Sequence, residues 1–124
     1  MISVTEEEFQ EIMENSMLSI PDIFKEKLDN IIFIVEDLPS DHDLARLDLH
    51  DRRQLLGLYS GIPYTHRNTW YSGTMPDRII LFQKNIEAVC NSKTELSKKI
   101  QEVVVHEIAH YFGMNDKEIR KAGF

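Results

Sequence analysis

Apolar residues recur every three or four positions in two stretches of this chain and run almost continuously in three others. Near the N-terminus, Phe9, Ile12, Met13 and Met17 share one side of a helix predicted from Ser3 to Met17. Thr5 and Glu8 have capping-box spacing at its start, and Glu6 and Glu7 suit the positive end of its dipole. The methionines in that stripe read as adaptable core filler. Pro21 then opens a second short helix, Pro21 to Asp29, burying Phe24 and Leu28. Near the C-terminus, Leu96, Ile100, Val104, Ile108 and Phe112 mark one side of a long helix from Lys93 to Phe112, and Val105 and Ala109 widen that side. Ser92 and Glu95 have the spacing of its cap. A helix this apolar belongs in a core. Its remaining face carries Val103, His106, Glu107 and His110.

The continuous runs predict strands. Ile31 to Glu36 is rich in β-branched residues and reads as covered on both faces, with Asp37-Leu38-Pro39-Ser40 stopping it. Gln54 to Ser60 reads as a second strand, ended by Gly61-Ile62-Pro63. Gly57 inside it marks a bulge or a close approach by another segment. Arg78 to Phe82 reads as a third. Between these lie Asp41 to Asp51, with four aspartates and two histidines, and the aperiodic stretch from Pro63 to Pro76. The first reads as a solvated acidic loop or ragged short helix. As a second cation site it lacks the acid spacing and the glycine of an EF-hand loop. The second holds Tyr64, His66, Trp70 and Tyr71, aromatics that could line a cleft, with His66 a surface histidine. Asn85 to Cys90 reads as a short helix or loop. Asp116 to Lys121 reads as a closing helical turn, capped either by Asn115 with Glu118 or by Asp116 itself.

The chain has 124 residues, which predicts one domain over 1–124. Its 42% apolar content suits a globular core, and no run approaches the ~20 apolar residues of a membrane span. MISVTEEEFQ has no basic region followed by an apolar stretch, so no signal peptide is expected. The lone Cys90 reads as a small buried residue and leaves no internal disulfide, in keeping with the cytoplasm. A net charge of −7 points away from nucleic acid, whose phosphates need Lys and Arg.

The chemistry sits on the long C-terminal helix. His106-Glu107-Ile108-Ala109-His110 is an H-E-x-x-H motif. Residues four apart on a helix lie about 5–6 Å from each other at Cβ, so both imidazoles reach one divalent metal. Glu107 is turned roughly 100° from His106, placed to hold a proton and not to ligate. Imidazoles and a carboxylate on a core helix are costly without partners, and a metal would relieve that cost for the histidines. Gly113, three residues on, is suited to end the helix in the left-handed conformation. Asp116, three further, can swing back as a third ligand, making His-Glu-x-x-His-x-x-Gly-x-x-Asp.

With that signature, and with IIFIVEDLP, LLGLYSGIP and PDRIILFQ around it, the chain resembles the minimal zincin-like metallopeptidases, small bacterial proteins, over roughly Phe9 to Gly123. The resemblance implies a compact zincin-like fold of the α+β or α/β class, here a mixed sheet of about three to four strands packed by the N-terminal helix and the H-E-x-x-H helix. It implies zinc held by His106, His110 and Asp116, with Glu107 as general base toward a metal-bound water in peptide-bond hydrolysis. The implied partner is a peptide or protein, and by analogy with zincins a sheet edge near the metal could hold it as an added strand. Tyr59, Arg67, Tyr71 and Tyr111 are candidates by type for oxyanion stabilisation. Two other readings compete. One is a metal-stabilised domain without catalysis, whose fourth coordination position would be filled by protein. The other is a metal-dependent endoribonuclease, disfavoured by Glu107, by the acidic third ligand and by the acidic charge balance.

Overall fold

A computed structural model describes residues 1–46, 51–61 and 77–124. The stretch 63–76, with Tyr64, His66, Arg67, Trp70 and Tyr71, lies outside the described residues, as do Asp48 and His50 of the acidic segment. The described chain runs α1 (Glu6–Met17), α2 (Asp22–Lys25), β1 (Ile31–Glu36), α3 (Asp41–Arg46), β2 (Gly57–Ser60), β3 (Asp77–Phe82), α4 (Gln83–Ala88), α5 (Lys93–Tyr111) and α6 (Asp116–Lys121). Short 3₁₀ turns follow α2 and precede β2. This is the mixed α+β architecture expected.

The sheet order is β1-β3-β2, with β1 parallel and β2 antiparallel to β3. Residues alternate across it. On one face Ile79 and Leu81 join Phe9 and Met13 of α1 and the buried stripe of α5 in the main core. On the other, Leu58, Ile80 and Phe82 form a smaller cluster with Ile34 and Leu55. The cap of α1 forms as expected, Thr5 accepting from the Glu8 amide at 3.1 Å. α1 is held to α5 by polar contacts as well as by core packing. The Ser16 and Ser97 hydroxyls lie 2.7 Å apart, and Gln101 donates to the Ser16 carbonyl at 2.8 Å.

Several expectations change. The strand expected from Gln54 starts only at Gly57, because Asp51 accepts from the Arg53 amide at 2.9 Å and curls 52–54 into a turn. β1 is not covered on both faces, since Ile32 is exposed, and among the described strands it pairs with β3 alone. The segment expected at Asn85 becomes helical at Gln83, directly after β3. It buries Gln83, Asn85 and Glu87, polar groups bonded to other segments: Asn85 to the Leu55 carbonyl at 2.7 Å, and Glu87 to the Val4 amide at 2.9 Å. The second helix is shorter than Pro21 to Asp29 and tightens to 3₁₀ after Lys25. Asp41 to Asp51 begins as the short helix α3, and Cys90 is buried. Phe112, expected in the core, is exposed with the Lys27 ammonium 4.5 Å from its ring centre. Val103 turns inward instead, meeting Gly57.

Candidate active site

α5 is fixed at both ends by its own sequence. Ser92 accepts from the Glu95 amide at 3.1 Å at the N-terminus. At the C-terminus Gly113 takes φ +71°. Its amide donates to the His110 carbonyl at 3.2 Å, and the Met114 amide to the Ala109 carbonyl at 2.8 Å. That pair of bonds is a Schellman closure, which needs the left-handed glycine. It satisfies the carbonyl of His110 itself. Asn115 then caps α6 reciprocally with Glu118. Asp116 is therefore not the N-cap. It is the first residue of α6, and it is exposed.

One face of α5 carries the motif. His106 is half-buried and His110 exposed, with ring centroids 6.3 Å apart and planes at 70°. Glu107 lies partly under β2. Burial pushes its carboxyl up to about 7, and the Tyr59 backbone N–H, donating to it, acts in the opposite sense. Gly57 faces Val103 so closely that an added Cβ would stand 2.5 Å from the Val103 Cγ1. The close approach expected at this glycine is thus an approach by α5 itself. Beside it runs a groove of about 270 Å³. Leu56, Gly57 and Val103 line it, Lys99 and Glu102 pair on its rim at 2.8 Å, and it opens at His106 and Glu107.

Two imidazoles one turn apart, next to a partly buried carboxylate of raised pKa in a groove, form an arrangement typical of a reacting site. A family profile described as zincin-like metallopeptidase matches residues 28–123. The chain belongs to that family. A search among curated proteins returns no match.

Within this member of the family the motif residues are differently disposed. His106, Glu107 and His110 share a face of α5. Among the described residues no three His, Cys, Asp or Glu side chains are gathered closely enough to hold an ion, so Asp116 is not drawn up to the histidines here. The two imidazoles nonetheless fit a shared ion. Rings on one tetrahedral ion at about 2.0–2.1 Å would have centroids roughly 5 Å apart, a difference that side-chain rotation can close. The Tyr59 hydroxyl, a candidate for oxyanion stabilisation, donates to Asp77 at 2.7 Å, and its ring stacks on Tyr111 with centroids 4.0 Å apart. The sequence reading missed the Tyr59 amide on Glu107. The alternation of LLGLYS carried the signal, because it sets the direction of each backbone amide once β2 is paired.

Proposed function

We propose that this member of the family is a zinc-dependent peptidase. The observation that carries the reading is geometric: His106 and His110 lie one turn apart on α5, with the partly buried Glu107 beside His106 and opening on the groove along β2. His106 and His110 would hold the metal with Asp116 as third ligand, a donor set of two imidazoles and one carboxylate that suits a catalytic zinc. When bound, zinc supplies Lewis acidity, lowering the pKa of a water and polarising a carbonyl oxygen.

The chain's own residues do the rest. Glu107 takes the proton of the attacking water on its carboxylate and passes it to the departing amine nitrogen, so that the peptide bond breaks as the new C–O bond forms. The Leu56 carbonyl accepts from the Phe82 amide at 3.0 Å, so alternation turns the backbone of Gly57 toward the edge of β2 away from β3. That edge flanks the groove and suits an extended peptide added as a strand. The apolar wall of Leu56 and Val103 suits an apolar side chain of that peptide. Zinc titration of purified protein tests the metal assignment. One ion per chain is expected, lost in His106→Ala and in His110→Ala. Undiminished zinc in both variants would rule the site out.

A further inference from the structure

Resting on the peptidase reading above, a second question is what holds the Glu107 carboxylate at the end of its flexible side chain. The Tyr59 backbone N–H donates a hydrogen bond to it. That N–H is not part of the β2–β3 ladder. Leu56 bonds to Phe82 of β3, so Leu58 and Ser60 turn the same way and Tyr59 turns outward. Sheet pairing thus turns the Tyr59 amide outward, to the side of α5, but does not set its distance from that helix.

The Tyr59 side chain supplies a restraint on that distance. Its hydroxyl donates to Asp77 at 2.7 Å. Asp77 is buried at the start of β3, and its own amide donates to the Asn30 carbonyl at 3.1 Å. Gly61 leaves room for that carboxylate, since an added Cβ would lie 2.7 Å from the Asp77 Cγ. The other side of the ring lies on Tyr111, with planes 15° apart, in the last turn of α5 and one residue after His110. One residue thus bridges β3 and the metal-binding end of α5 with its ring while its amide meets Glu107.

We propose that Tyr59 is a positioning residue for Glu107: its ring, held between Asp77 and Tyr111, keeps its own backbone N–H on the catalytic carboxylate. The hydroxyl–Asp77 bond fixes the ring, and the ring fixes the amide.

Amide hydrogen exchange by NMR on the full chain tests this without relying on turnover. In Glu107→Ala the amide at position 59 should exchange about tenfold faster, the scale of one lost hydrogen bond, while those at 58 and 60 keep their rates. Tyr59→Phe, which keeps the stack and loses the hydroxyl, should speed the same amide by at least about threefold. Asp77→Asn keeps an acceptor for the hydroxyl and should stay near wild type. On any peptide the zinc-loaded protein cleaves, Tyr59→Phe should lower kcat with KM within about twofold, and Asp77→Asn should retain most of the activity. An unchanged amide at 59 in Glu107→Ala, or a uniform rise along β2, would overturn the proposal. Failure of the wild type to cleave any peptide would count against the peptidase reading, and the exchange rates would still decide the positioning role.

Discussion

Raising the pH of the metal-free protein should remove the stability that Glu107 contributes to its fold. Burial lifts the folded-state pKa of this carboxyl from 4.5 to about 7. Between those values the folded protein holds a proton that the unfolded chain has released. Stability from this group is therefore fully present below the unfolded pKa and is lost as pH rises through the folded one. From about pH 5 to about pH 8 the full shift corresponds to about 2.5 kcal/mol. Solvent reaching the partly buried carboxyl reduces this, and about 1–2 kcal/mol is expected. Urea unfolding with chelator present, at several pH values, gives the wild-type curve. Glu107→Gln supplies the reference, because its amide does not titrate and other groups cancel in the difference. The difference in unfolding free energy between the two proteins should fall by that amount over the range. A difference that stays flat, or grows with pH, would refute the claim that burial raises Glu107.

Four further substitutions probe the frame of the site. Asp116→Ala should weaken zinc binding severely in a direct titration, whereas Asn115→Ala should cost about 1 kcal/mol of stability as a lost cap and leave zinc affinity nearly unchanged; the reverse pattern would remove Asp116 from the ligand set. Gly57→Ala places a Cβ 2.5 Å from the Val103 Cγ1 and should destabilise by about 1–3 kcal/mol in thermal or urea unfolding. In a Val103→Ala background the cost should shrink, and additive costs would mean that the two residues are not in contact.

What the sequence disclosed about this fold was local. The caps at Thr5, Ser92 and Asn115 and the stop at Gly113 follow from residues within one turn of each other, and they form as expected. The H-E-x-x-H face was legible for the same reason, since helical spacing alone brings His106, Glu107 and His110 together. Contacts between distant segments were not. Nothing in the apolar periodicity distinguishes Val103, packed against Gly57, from Phe112, turned out beneath Lys27. β1 read as covered because continuous apolar runs suit strands buried on both faces, yet Ile32 is exposed. The buried polar helix α4 escaped because the partners of Asn85 and Glu87 lie some 30 to 80 residues away. The Tyr59 amide on Glu107 depends on strand pairing, which the local pattern leaves open.

The central claim is that Glu107 moves protons and does not hold the metal. The most direct measurement compares wild type and Glu107→Gln in parallel, for zinc stoichiometry and for cleavage across a library of unstructured peptides. The variant should bind zinc as well as wild type does and hydrolyse peptide bonds at least ~10²-fold more slowly, the lower range for a lost general base. Equal cleavage by the two proteins would contradict the account.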